Sequence, residues 1–291
     1  MRLVTFQMNQ EILWGIYQTE AVWVPTEILP EYPALLDWIA AGPEQWQTLS
    51  QQSLIPYKVL EHEFLAPLPR TPKNIICLGL NYSDHVAESY GARQKVAKLP
   101  EFPVVFTKAP TSINAPYGDI PYDPQVSTQI DWEVELAVVI GVGGRHIPKE
   151  KALSHVFGYT VINDLTARDL QDRHKQFFLG KSLDGHCPMG PAIVTSDEVP
   201  DPQNLDLTCW VNGELKQSSN TRRQIFDIAT TIATLSHSMT LEAGDVIATG
   251  TPSGVGFART PQEFLRPGDV VESQVSGIGR LKNHVRLQVV D

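Results

Sequence analysis

The residues best suited to chemistry are two carboxylates in IDWEVELAVVIG, residues 130–141. Glu133 and Glu135 are two positions apart in what reads as a β-strand, and side chains at i and i+2 of a strand share a face. Around them Ile130, Trp132, Val134 and the run Leu136, Ala137, Val138, Val139, Ile140 are apolar. Burying two like charges among such residues is costly. A divalent cation relieves that cost, because Mg2+, Mn2+ and Ca2+ favour hard carboxylate oxygens. Asp164, at the end of the apolar run in GYTVIND, is the candidate third ligand. The alternative is a solvated pair on the outer face of an edge strand, the commoner fate of an isolated E-x-E.

Other segments carry single groups of interest. In NYSDHVAE a helix can begin near Ser83, and His85 and Glu88 then share its face as i, i+3 neighbours. A carboxylate orienting an imidazole makes a general base; an exposed His–Glu contact is the other reading. Lys181 sits between Gly180 and Ser182, suited to a developing negative charge or simply to a surface turn. Lys108 lies in the apolar PVVFTKAPTSI, where a snorkelling side chain would also fit. In LEAGDVIATGTPSGVGF a strand runs into a glycine-rich turn bearing Thr251 and Ser253. Such turns offer N–H groups and hydroxyls to a carboxylate or phosphate. Neither this turn nor GVGGRHI has a P-loop or dinucleotide spacing.

These groups need a scaffold. The chain has 291 residues, 42% hydrophobic, which allows one large domain or a domain plus a small unit. A net charge of −10 argues against nucleic acid as a partner. The three cysteines lack C-x-x-C spacing, so neither disulfides nor zinc are expected. No signal-peptide pattern is present and no apolar run approaches ~18 residues, so a cytoplasmic protein away from membranes is expected. Twenty glycines and 22 prolines between short apolar runs favour strands. Short strands over 2–7, 12–17 and 21–24 form a meander, followed by helical stretches in 26–50. A proline-rich extended linker covers 57–72. Domains of 1–56 and 73–291 flank it. Strands are expected at 74–80, 103–113 and 158–164. A short helix covers 149–155, and an amphipathic helix 225–236. A hairpin turns at Asn212-Gly213. The segment 91–102 is charged and without pattern, a cover or a plain loop.

NYSDHVAE, FTKAPTS, IDWEVELAVVIG, FGYTVINDLTARDLQ, GKSLDGHCPMGP, WVNGE, LEAGDVIATGTPSGVGF and IGRLKNHV together resemble the fumarylacetoacetate hydrolase family, in the family's order over about 57–291. The resemblance implies a mostly-β α+β fold, a mixed β-sandwich roll with a small N-terminal α/β unit, as a homodimer. It implies one Mg2+, with Mn2+ or Ca2+ possible, on Glu133, Glu135 and Asp164. The substrates are small 2-oxo or diketo acids. The catalytic pair falls on His85 and Glu88 and the active-site lysine on Lys181. Thr251 matches the threonine that holds the substrate carboxylate; Arg168, Gln171 and Lys108 match positions near the pocket. Where the hydrolase that names the family has a fourth acid ligand, this chain has Asn81. That resembles the three-acid branch of acylpyruvate hydrolases, oxaloacetate decarboxylases and diene-dioate isomerases, and moves fumarylacetoacetate itself out of expectation. The expected reaction is metal-dependent hydrolysis of a C–C bond in an acylpyruvate-like acid. Decarboxylation of oxaloacetate or isomerisation of 2-hydroxyhepta-2,4-diene-1,7-dioate is the alternative; a catalytically silent metal- or ligand-binding protein is a third.

Overall fold

Two runs of apolar, β-branched residues set the centre of the fold. Val134–Ile140 and Val156–Asn163 are buried at every position, as strands covered on both faces must be. They pair antiparallel in the middle of a 12-stranded sheet. The computed structural model describes residues 1–94 and 96–288. On one side of this centre Cys187–Thr195 leads to Arg2–Met8, Glu11–Gln18, Ala21–Val24 and Ile55–Tyr57. On the other lie Val246–Ala248, Ile75–Gly79 and Val104–Lys108. A five-stranded sheet packs against the central strands. Its Leu207, Cys209, Val271 and Leu281 share a core with Leu136, Val138 and Val161. The fold is a mostly-β α+β architecture with mixed sheets. No described helix is long and apolar enough to cross a membrane.

The acidic strand is not continuous. It breaks at Trp132 and Glu133: Ile130–Asp131 pairs with Thr166–Ala167, whereas Val134–Ile140 belongs to the large sheet. Side chains satisfy the backbone at the break, as a buried chain requires. Trp132 N–H donates to Asp131 Oδ1 at 2.8 Å, Glu133 N–H to Asn163 Oδ1 at 2.9 Å and Val134 N–H to Gln217 Oε1 at 3.0 Å. Glu133 therefore lies just outside the strand that carries Glu135.

The first strands form the expected meander, yet they continue the large sheet. Arg2 and Leu3 pair with Val194 and Ile193. The expected linker is also drawn in: Phe64 and Leu65 pair with Phe6 and Thr5, and Ala66 and Leu68 are buried. Trp14, Trp38 and Leu49 share a core with Val139, Phe157 and Ile193. The stretch 57–72 is thus a seam within one sheet.

Three further elements bear on the site. Helix Ser83–Ala92 follows the Ile75–Gly79 strand. Helix Arg168–His174 follows the short Thr166–Ala167 strand, and Phe178–Lys181 follows that. The amphipathic helix starts later than its apolar spacing suggests, at Ile228, because Asp227 caps it by accepting the Thr230 N–H at 2.6 Å. Residues 149–155 form a 3-10 helix. Asn212 and Gly213 both take positive φ in the predicted hairpin turn. Among the described residues no regular element occupies 93–103.

Candidate active site

Three carboxylates meet where the sheet ends. Glu133 comes from the strand break, Glu135 from Val134–Ile140, and Asp164 directly follows Val156–Asn163. One oxygen of each lies within 4.8 Å of the others, and all three residues are buried. Asp164 N–H donates to the Glu133 carbonyl at 2.8 Å, which fixes two of them to each other. The solvated-pair reading of Glu133 and Glu135 is thereby excluded.

Buried cations surround the acids. Lys181 Nζ lies 2.6 Å from both Glu133 Oε2 and Asp164 Oδ2. Arg168 donates through Nη2 to Glu133 Oε1 at 2.6 Å and through Nε to Asp131 Oδ2 at 2.9 Å. Burial alone would raise the Glu133 carboxyl, but Lys181 and then Arg168 hold it down at about 2. Burial also disfavours charge on Lys181, yet Asp164 and Glu133 outweigh it and keep the ammonium above its ordinary value. Glu135 has no lysine or arginine partner among the described residues; it accepts the Gly250 N–H at 2.7 Å. Burial first, then Asp164 and Glu133, push its carboxyl well above the ordinary carboxylate range. Asp164 Oδ1 lies 2.8 Å from Lys108 Nζ without hydrogen-bond alignment.

His85 and Glu88 face each other on their helix, Nδ1 to Oε2 at 3.3 Å. A carboxylate only accepts, so Nδ1 carries the proton and Nε2 is the basic nitrogen. The Ser89 hydroxyl lies 3.3 Å from Nε2. Glu88 Oε1 accepts the Gly254 N–H at 2.8 Å, which ties the helix to the glycine-rich turn.

These groups meet at a cavity of about 390 Å³. His85, Ser89, Glu133, Lys181, Arg168 and Gln171 line it, and so does Thr251. The size suits a small organic acid.

Two expected roles change. Lys108 does not line this cavity: it is fully buried, pairs with Asp164 and donates to the Leu165 carbonyl at 3.1 Å. Its position is that of a support for a candidate ligand. Thr251 has one hydroxyl proton, and it is committed to the Val134 carbonyl at 3.0 Å, while Gln217 Nε2 donates to the Thr251 hydroxyl oxygen at 2.8 Å. The turn's amides are likewise taken by the protein's own acids. Besides Gly250 and Gly254, the N–H groups of Gly256 and Phe257 donate to Asp131 at 2.6 and 3.0 Å. The glycine-rich turn is an anion cradle for Asp131, Glu135 and Glu88.

Two residues were missed. Asp131 is fully buried and anchors Arg168; its signal was present, since D-x-E-x-E extends the parity of the acid pair by one step. Ser89 is one helical turn beyond His85, the i+4 spacing that meets its ring.

Comparisons with known proteins show the family. The family description fumarylacetoacetate (FAA) hydrolase C-terminal matches residues 74–286. The chain belongs to the fumarylacetoacetate hydrolase family. Within it, the chain is 52% identical over 230 residues to oxaloacetate tautomerase YisK of Bacillus subtilis, covering 79% of this chain and 75% of that protein. A mitochondrial oxaloacetate tautomerase of Homo sapiens is 46% identical over 227 residues, 77% of this chain and 70% of the relative. Among solved structures, a fumarylacetoacetate hydrolase from Exiguobacterium antarcticum is 40% identical with a TM-score of 0.85, covering 99% of this chain and all of that one. A maleylpyruvate hydrolase from Sphingobium, solved with manganese(II) and pyruvate, is 27% identical with a TM-score of 0.75, again over 99% of this chain and all of the other.

Family membership sharpens the reading of Asn81. Its amide donates to the Phe226 and Thr249 carbonyls and its oxygen accepts the Phe226 N–H. Every polar atom is used as a backbone latch. The three acids fit a divalent cation: the donors are hard oxygens, and among the described residues Glu135 lacks a cationic partner and Asp164 Oδ1 accepts no hydrogen bond.

Proposed function

We propose that this chain is a divalent-metal-dependent keto–enol tautomerase of a small 2-oxo dicarboxylic acid, with oxaloacetate as substrate. One observation carries the reading: Glu133, clustered with the buried Glu135 and Asp164, lines the same cavity as His85, whose ring faces Glu88. The oxaloacetate tautomerases among its relatives support the choice of substrate. A cation held by Glu133, Glu135 and Asp164, Mg2+ in this reading, with Mn2+ or Ca2+ as alternatives, supplies Lewis-acid polarisation of the 2-oxo group. The remaining work is proton transfer. A proton leaves C3 of the keto acid and a proton is added at the 2-oxygen, so a single group that takes and returns one balances the reaction. His85 Nε2 does this; Glu88 fixes the tautomer, and Ser89 occupies that nitrogen before substrate arrives. Lys181 stays charged and balances negative charge near Glu133. Arg168 and Gln171, bonded to each other at 3.1 Å, form a rigid polar wall.

Hydrolytic cleavage of an acylpyruvate is the second reading, since the same His85–Glu88 pair can activate water, and two solved relatives are named hydrolases. The decay of the enol absorbance of oxaloacetate, followed with and without Mg2+, tests the proposal. Wild type should accelerate it in the presence of metal, and His85→Gln should lower kcat by roughly 10²–10⁴. Pyruvate release would report decarboxylation. Cleavage of acylpyruvates with no effect on oxaloacetate would replace the proposal by hydrolysis. Metal binding with no turnover of either acid would leave a silent binding protein. The homodimer belongs to the same proposal, and its mass in solution tests it.

A further inference from the structure

The cavity holds two guanidinium groups of unequal freedom. Arg168 is committed to Asp131, Glu133 and Gln171. Arg93 follows the Ser83–Ala92 helix and has one charged partner among the described residues: Asp172, at 3.2 Å and itself 67% exposed. A long 3.5 Å contact from Nη1 to the Ser89 carbonyl is its other tie. Such an exposed ion pair is weak. Both guanidiniums lie over the ring of Phe257, Arg168 Cζ at 4.3 Å and Arg93 Cζ at 4.6 Å from its centroid. Their separation therefore cannot exceed the sum of those distances. That bound keeps Arg93 near the part of the cavity where Arg168 holds Glu133.

We propose that Arg93 is a specificity-determining residue: it receives the distal carboxylate of a dicarboxylic 2-oxo acid and so selects such acids over monocarboxylic acylpyruvates. The inference rests on reading the cavity as a 2-oxo acid site. A guanidinium offers paired N–H donors to a carboxylate, and the charge strengthens both bonds. Phe257 limits where the cation can sit. The distal carboxylate competes with Asp172, which lies on the helix that carries Arg168 and Gln171.

Two non-reacting probes separate the ends of the ligand. Lactate and malate share a 2-hydroxycarboxylate head, and only malate adds a second carboxylate; oxalate needs the head site alone. Titration calorimetry on the 291-residue chain with Mn2+ should give malate roughly tenfold tighter binding than lactate. Arg93→Gln should bring malate to the level of lactate and leave oxalate unchanged. Asp172→Asn removes the competitor and should raise the malate preference. A wild type without preference, an Arg93→Gln variant that keeps it or that weakens oxalate equally, or an Asp172→Asn variant whose preference falls, overturns the proposal. If the preference depends on Arg93 while oxaloacetate is not tautomerised, the functional reading fails and the carboxylate subsite stands.

Discussion

At the scale of single residues, the site is an arrangement of ionisable groups removed from water, whose behaviour follows from burial and from the partners each one meets. His186 shows the consequence for a group outside the acid cluster. It is buried; Nδ1 lies 3.0 Å from the Asp184 carbonyl, and Nε2 has no hydrogen-bond partner among the described residues. Burial pushes its pKa down to about 4; the Asp184 carbonyl opposes this and Lys108 adds to it. An unfolded histidine titrates near 6.5. Between these values the unfolded state binds the proton that the folded state refuses, so this contribution is complete above pH ~6.5 and is lost as pH falls towards ~4. The loss is about 3 kcal/mol. Urea midpoints measured from pH 7 to 4 should therefore fall less steeply for His186→Asn than for wild type. Parallel curves would show that His186 is not buried neutral. Among the site residues, Glu133, Glu135, His85 and Glu88 were legible because i, i+2 and i, i+3 spacings report a shared face directly. The roles of Lys108 and Thr251 were not, because a spacing does not say which hydrogen-bond partner a side chain finds across the fold.

At the scale of elements, loops and breaks do the positioning. The turn after Val246–Ala248 brings Gly250 to φ +95°, where a Cβ would meet Asn81 Cβ at 2.9 Å and the Leu78 carbonyl at 3.1 Å. Its N–H holds Glu135 at the same time. Gly250→Ala should cost about 1–3 kcal/mol from backbone strain. It should also reduce the rise in Tm that Mg2+ or Mn2+ produces in wild type. Thermal melts with and without metal measure both; an unchanged melt in both conditions would remove the strain argument. The glycine-rich turn was visible in the sequence as a home for an anion by composition alone. Its anions proved to be the protein's own, since four of its amides end on Glu135, Glu88 and Asp131. The strand break at Trp132 and Glu133 was invisible to periodicity, because an apolar run with alternating acids reads as one strand. Only the side chains of Asp131, Asn163 and Gln217 make the break affordable to the backbone.

At the scale of the whole molecule, the N-terminal meander and the site share one sheet. Leu3, Trp14 and Trp38 pack in the cluster that holds Ala137 and Val139, on the strand that carries Glu135. Removing residues 1–56 would uncover that cluster. Calorimetry of the intact chain should show one cooperative transition, and the truncated chain should lose its near-ultraviolet circular dichroism or aggregate. Two separable transitions, or a soluble fragment with cooperative melting, would restore an independent N-terminal unit.

The sequence by itself determined the local parts. Short apolar runs between glycines and prolines dictated a mostly-β fold, and the motif order identified the family. Parity and helical spacing named Glu133 with Glu135 and the His85–Glu88 pair, because those relations are set within a few residues of chain; Asp164 was named by its place at the end of an apolar run and by the family resemblance. Tertiary structure alone decided what each group faces. It joined Asp164 to Glu133, gave Glu135 no lysine or arginine partner among the described residues, buried Lys108 behind the acids and closed the turn on Asp131. It also brought Arg93 and Arg168 to the same ring, Phe257. Those contacts join residues far apart in the chain, and their energies depend on burial and on partners that no local pattern encodes.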